Sequence, residues 1–137
     1  MEFISKLVPL ILIIMSVFLF LSLLRRGGKL DAEQNETPVF EEICGARLGF
    51  ANYSRPFARH SIYRDFIVIS AHQNRYLIDL SKIESVRSHR GLLSQGIKYA
   101  HSQGNAPKNI IIWTHKGSEI IALIKRLQDN KRRMNID

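Results

Sequence analysis

The sequence predicts a mainly β domain, preceded by an N-terminal transmembrane helix and closed by one C-terminal amphipathic helix. Three observations lead to this prediction. Residues 7–24 are almost entirely apolar, short apolar runs separated by turn residues follow from Ile43, and the chain ends on apolar residues with helical spacing. With 137 residues, the chain has room for one domain beside the apolar run.

The first predicted element is the apolar run, which has no charge and is broken only by Pro9, Ser16 and Ser22. As a helix it would span about 27 Å, close to the roughly 30 Å hydrocarbon core of a bilayer. A cleaved signal peptide fits less well, because Leu24 and Arg25 stand where a cleavage site needs small residues. We therefore expect residues 1–24 to be an uncleaved single-pass membrane anchor.

Basic residues near the apolar run predict its orientation. Arg25, Arg26 and Lys29 follow it, whereas Lys6 and the amino terminus precede it. Because cytoplasmic flanks are enriched in lysine and arginine, we expect a protein of the cytoplasmic membrane whose C-terminal domain faces the cytoplasm. The single cysteine, Cys44, is compatible with a reducing compartment and excludes an internal disulfide.

Residues 25–42 contain two glycines, a proline and mixed charges without apolar periodicity. This composition predicts a flexible linker, followed by a folded domain over residues 43–137. Residues 1–36 hold four basic and four acidic residues, so residues 37–137 carry the whole net charge of +8.

Seven short apolar runs in the domain predict seven strands, in the pattern of an all-β barrel or sandwich. The predicted strands are 43–51, 57–63, 66–70, 76–80, 84–89, 97–102 and 110–114. Loops are expected between them, including one over residues 52–56 that contains Pro56.

The last predicted element is a helix with Ser118 as its N-cap and Glu119 in its first turn. Its apolar stripe consists of Ile120, Ile121, Leu123, Ile124 and Leu127. A helix with one apolar side needs a hydrophobic partner, and we expect it to cover the open end of the barrel.

The order and spacing of several segments resemble bacterial pleckstrin-homology-like (PH-like) domains. The segments are SRPF at 54–57, IYRDFIVIS at 62–70, IESV at 83–86, GLLSQGI at 91–97, His101, and IIIW at 110–113. The resemblance covers residues 47–127 and implies a seven-stranded PH-like barrel. Since PH-like domains are mainly binding modules and are often tied to membrane helices in bacteria, the resemblance implies binding and no reaction.

The resemblance also suggests a binding site, because PH domains grip phosphoinositide headgroups with basic residues of the first hairpin. Arg47, Arg55 and Arg59 are the candidates for an anionic surface, although the four-residue spacing of the last two departs from the phosphoinositide motif. A solvated basic face is the alternative interpretation. We expect Arg25, Arg26 and Lys29 to lie next to the membrane, where they fix topology and touch anionic headgroups.

Catalytic and metal-binding patterns are absent from the sequence. It has no Gly-rich phosphate loop, H-E-x-x-H or G-x-S-x-G motif, so we expect no enzyme and no cofactor. Its five histidines lack the spacing of metal ligands, and we expect no metal. A pI near 10 suggests nucleic acid, but the aromatic residues lie in apolar strand contexts, which disfavours this partner.

The sequence therefore predicts a membrane-anchored PH-like module that engages a protein partner or organises a membrane complex. An extended peptide could add to the open edge between strand and helix by backbone hydrogen bonds. The alternative is an electrostatic sensor of anionic lipid headgroups, which high salt would weaken far more than peptide binding.

Overall fold

The computed structural model describes residues 2–24 and 28–136, with the side chains of residues 6–22 and 28–136. The helices are α1 (Glu2–Leu24), α2 (Asp31–Gln34) and α3 (Gly117–Met134), and a 3-10 turn covers Leu80–Lys82. The strands are β1 (Phe40–Leu48), β2 (Ala51–Ile62), β3 (Phe66–Ala71), β4 (Asn74–Asp79), β5 (Ile83–Arg90), β6 (Gln95–His101) and β7 (Ile110–Trp113).

Helix α1 corrects the prediction of a membrane anchor. The side chains of this helix are described over residues 6–22. Within the described residues, no helix is long and apolar enough to cross a membrane. The predicted transmembrane helix is therefore wrong, and so is the predicted location as a single-pass protein of the cytoplasmic membrane.

The seven strands form one antiparallel sheet in the order β4-β3-β2-β1-β7-β6-β5, which curls into a half-barrel. Alternate side chains point inward, as the two-residue period of a strand requires. Large aliphatic side chains of β2, β3, β6 and β7 fill the interior, among them Ile62, Ile67, Ile97 and Ile112, each fully buried. The predicted mainly β architecture with seven strands is confirmed.

Helix α3 packs against β5, β6 and the 3-10 turn. Ile120 and Ile124 of its apolar stripe are buried in the core, which confirms the predicted closing helix. The helix begins at Gly117, before the predicted cap Ser118, because the Lys116 carbonyl already accepts the Ile120 N–H. The first helical hydrogen bond therefore starts from the Lys116 carbonyl.

A bulge in β2 replaces the loop predicted over residues 52–56. On β1, Cys44 is in register with Ala58 and Ala46 with Tyr53, so residues 54–57 of β2 all lie opposite Gly45. The strand is pushed outward there without ending. This bulge creates the space described as a candidate site below.

The described part of the segment before β1 packs on the outer face of β2–β4. Leu30 contacts a small cluster of Tyr63, Phe66 and Val68. Glu33 of α2 is 1% exposed. Helix α2 and the first residues of β1 therefore lie within the stretch that the sequence predicts to be a linker.

Candidate functional site

A groove of about 680 Å³ lies where the β2 bulge, the β5–β6 hairpin and the start of α3 meet. We call it the β2-bulge groove. It is lined by Glu41, Glu42, Ile43, Gly45, Asn52, Tyr53, Ser54, Arg55, Leu93, Ser94, Gln95, Trp113, Thr114, His115 and Lys116. Its volume lies within the range of small-molecule and peptide sites, roughly 300–1,000 Å³.

Trp113 forms one wall of the groove, and glycines on both neighbouring strands make room for it. Trp113 is in register with Gly45 on β1 and with Gly96 on β6. A Cβ on Gly45 would stand 3.1 Å from the Trp113 ring and 2.9 Å from the Tyr53 carbonyl oxygen. The Trp113 Nε1–H donates to Asn52 Oδ1 at 3.0 Å, which fixes the indole plane.

Glu42 places a buried carboxylate beside the groove. Its Oε2 accepts a hydrogen bond from Thr114 Oγ1 at 3.0 Å, whereas its Oε1 is buried and has no hydrogen-bond partner among the described residues. Burial raises the pKa of Glu42, and the Thr114 hydrogen bond and the charges of Lys116 and Arg55 only partly oppose this shift. This oxygen is closed to solvent and lies 4.0 Å from His60 Nδ1, so a ligand in the groove would not reach it.

Behind Glu42 lies a neutral histidine. The Nδ1 of His60 is 4.0 Å from Glu42 Oε1, and its Nε2 is 2.8 Å from the Tyr99 hydroxyl oxygen. Complete burial lowers the pKa of His60 to about 3, so the imidazole is neutral at pH 7. Nearby Cys44 is 2% exposed, and burial raises the pKa of its thiol to about 12. This thiol is too deeply buried and too weakly acidic to act as a nucleophile.

The structure separates the three arginines that the sequence proposes as an anionic surface. Arg47 is exposed on β1, and Arg55 is exposed in the bulge, where it lines the groove. Arg59 is 8% exposed and does not join them. Its guanidinium donates to Glu33 at 2.7 and 3.0 Å and to Glu41 at 3.2 Å. Of the membrane-proximal candidates, Lys29 is exposed, and Arg25 and Arg26 lie outside the described residues.

The ion pair of Arg59 with Glu33 is a feature that the sequence does not reveal. Burial alone would raise the pKa of Glu33, but hydrogen bonds from Arg59, the Leu30 N–H and the Tyr63 hydroxyl hold it below its ordinary value. Glu33 lies in a stretch that looks like a linker. The only available signal is the three-residue spacing from Leu30 to Glu33, which is typical of a first helical turn.

Comparisons with known proteins show the fold. No protein-family model and no curated protein sequence matches the chain. The solved structure of the Vps36 N-terminal PH domain is similar, with a TM-score of 0.53 and 16% identity over 73% of this chain and 84% of that one. The C-terminal domain of an unknown protein from Leishmania infantum is also similar, with a TM-score of 0.53 and 12% identity over 68% of this chain and 85% of that one.

These likenesses define the class of the protein: a PH-like half-barrel with a C-terminal helix. At such low identity they show the fold alone. The PH-like fold confirms the coarse part of the predicted resemblance. The predicted bacterial origin is not shown by these two structures.

Proposed function

We propose that the chain is a binding module that engages a protein partner, and that an extended segment of this partner lies in the β2-bulge groove. The carrying observation is a groove that combines a fixed aromatic wall, Trp113, with a lining that contains both Glu41 and Arg55. A polypeptide supplies complements to both features, because it carries apolar side chains and charged side chains of either sign.

The charges around the groove favour a polypeptide over a phosphorylated headgroup. Arg55 and Lys116 are exposed on its rim, but Glu41 and Glu42 line it as well. Two carboxylates beside a phosphate would repel it, whereas a peptide with mixed charges can match both signs.

The edge of β5 is a second place where a partner strand could add. The sheet ends at β5, and α3 packs beside this strand. The start of the edge is already covered, because the Gln128 side-chain amide donates to the carbonyls of Leu80 and Ile83 at 3.0 and 2.9 Å. The predicted addition of an extended peptide to an open edge can therefore take place only along the part of β5 beyond Ile83.

The alternative function, an anionic-lipid sensor built on Arg47, Arg55 and Arg59, has less support. Two of these arginines are exposed, but Arg59 already holds Glu33 and Glu41. A patch of two arginines supplies about 2 kcal/mol of attraction to an anionic membrane, too little for stable docking.

Selection of a displayed peptide library against the full chain tests the groove. We expect selected peptides to lose at least about tenfold in affinity when Ser54→Trp fills the groove, because Ser54 is exposed and lines it. Fluorescence anisotropy with a labelled peptide measures this, at low and at high salt.

Gln73→Trp is the matched control, since Gln73 is exposed in the β3–β4 turn and does not line the groove. Equal binding by the Ser54→Trp variant and the wild type would exclude the groove as the peptide site. Binding that disappears in high salt for both proteins would favour general electrostatic attraction instead.

A further inference from the structure

The turn between β5 and β6 presents two leucines to solvent. Leu92 is 99% exposed and Leu93 is 97% exposed. They occupy the tip of a tight hairpin that is closed by a hydrogen bond from the Gly91 N–H to the Ser94 carbonyl at 2.7 Å. We call residues 91–94 the hairpin tip. Two adjacent, fully exposed leucines on a closed turn contribute nothing to the core, so their apolar surface is available to a partner.

Beyond Glu84 at the start of β5, the two strands that lead to this tip carry only positive charge. Residues 85–118 contain no aspartate or glutamate. Their lysines and arginines are Arg87, Arg90, Lys98, Lys108 and Lys116, and all five are exposed. Within the described part of the chain, none of them forms an ion pair.

Two of these cations and Arg47 of β1 form a row across the outer face of the sheet. Arg87 is in register with Lys98, Lys98 with Ile111, and Ile111 with Arg47. Arg90 stands in register with Gln95 at the base of the hairpin tip. We call Arg47, Arg87, Arg90 and Lys98 the cationic band.

We propose that the hairpin tip and the cationic band dock the protein on the surface of an anionic lipid bilayer. Leu92 and Leu93 enter the boundary between headgroups and acyl chains, and the cationic band faces the phosphates. This docking surface goes beyond the proposed protein-binding groove, with which it shares Leu93 and Ser94.

The distances along the hairpin fit the layers of a bilayer. Each headgroup region is about 5–8 Å thick, and the row of Arg87 and Lys98 lies three residues, or about 10 Å, before Arg90 along the strand. With the leucines at the acyl boundary, Arg90 lies among the headgroups. Arg87 and Lys98 then lie within about one Debye length of the surface charge.

A bilayer fits this combination better than other polyanions do. Single-stranded nucleic acids offer phosphates but are bound through stacking of their bases on aromatic rings, and the tip carries two leucines and no aromatic side chain. A lipid surface offers an apolar layer and anionic phosphates side by side, and its affinity rises with both buried apolar area and charge.

The experiment places a dye at the hairpin tip of the full chain. The signal then reports on the tip itself and not on contacts between α1 and the vesicle. Ser94→Cys introduces a labelling site, since Cys44 is 2% exposed and its thiol pKa is about 12. An environment-sensitive dye at this site should shift to shorter wavelength with vesicles of phosphatidylcholine and phosphatidylserine. Lipids with spin-labelled acyl chains should quench it, and pure phosphatidylcholine should cause neither effect.

Two variants with matched controls separate the apolar and charged contributions. Leu92→Ser with Leu93→Ser should raise the lipid concentration for half-maximal signal by at least about tenfold, whereas Phe50→Ser, an exposed aromatic at the opposite hairpin, should not. Arg87→Gln, Arg90→Gln and Lys98→Gln together should have a similar effect. Removal of three exposed cations from α3, Lys125, Arg126 and Arg132, should have less.

Three outcomes would overturn the proposal. The dye at residue 94 could respond equally to both vesicle types, or respond no more than a dye placed at Gln73→Cys. It could also respond to a single-stranded oligonucleotide and not to vesicles, which would identify the cationic band as a nucleic-acid surface.

Discussion

The two halves of the half-barrel differ in whether they contain an arginine that is buried and paired with carboxylates. In the first half, β1–β4, the buried Arg59 is held by Glu33 and Glu41 beneath the N-terminal segment. In the second half, β5–β7, every lysine and arginine is exposed, and none forms an ion pair within the described chain. Arg59 of the first half therefore stabilises the fold, whereas the cations of the second half, like the exposed Arg47 of β1, are available for binding.

The largest expected effect comes from the ion pair of the first half. Arg59→Leu leaves the buried carboxylate of Glu33 without its charged partner, which should reduce the free energy of unfolding by about 3–5 kcal/mol. Urea denaturation of the full chain measures this change.

Arg47→Leu serves as the matched control, because Arg47 is exposed and belongs to the cationic band. We expect it to change stability by less than about 0.5 kcal/mol. Similar losses for both variants would show that the buried ion pair contributes no more to stability than an exposed arginine does. The double change Glu33→Leu with Arg59→Leu should recover much of the loss, since it leaves no buried charge.

An intermediate effect is expected from the contact that joins the halves. His60 of β2 lies 2.8 Å from the hydroxyl of Tyr99 on β6, and burial lowers the pKa of His60 to about 3. The unfolded chain binds a proton at His60 below about pH 6.5, and the folded chain does not. Stability is therefore complete above this pH and falls as the pH is lowered, by about 1.4 kcal/mol per unit.

Between pH 6.5 and 5 this amounts to roughly 2 kcal/mol, measured by urea denaturation at each pH. The raised pKa of Glu42 acts in the opposite direction, so the useful quantity is the difference between the wild type and His60→Gln. The variant should show a flatter dependence on pH. Parallel curves for the two proteins would mean that His60 takes up a proton without unfolding.

The smallest effect is expected at the surface contact between α3 and the β2–β3 turn. Lys131 Nζ lies 2.9 Å from Asp65 Oδ1, but the two side chains are 32% and 62% exposed. Because solvent screens such pairs, Lys131→Gln should reduce the free energy of unfolding by less than about 0.5 kcal/mol, as should the control Lys125→Gln. A loss above about 1 kcal/mol for Lys131→Gln alone would show that this pair holds α3 in place.

Prediction from the sequence succeeded where the pattern is local. The apolar runs that became β3 and β7 and the stripe containing Ile120 and Ile124 were sufficient to predict the strands and the closing helix. The apolar run in α1 misled the prediction. It resembles a membrane span in composition, but its described residues are not long and apolar enough to be one.

The candidate sites were less predictable, because they depend on contacts between distant residues. Arg59 was expected on a binding surface with Arg47 and Arg55, yet it pairs with Glu33, twenty-six positions away in the chain. The groove arises because residues 54–57 bulge opposite Gly45, and no local signal gives that register. Leu92 and Leu93 were assigned to a turn, but only the structure shows how completely they are exposed.

The sequence by itself determined the seven strands, the closing helix and the net charge of +8. The periods of strands and helices appear in the spacing of apolar residues that are close together in the chain. The tertiary structure decided which charges are satisfied. An arginine on a strand looks the same in sequence whether it faces solvent or a buried carboxylate. Folding places Arg59 beside Glu33 and leaves Arg87 and Lys98 beside each other, without a carboxylate, on an open face.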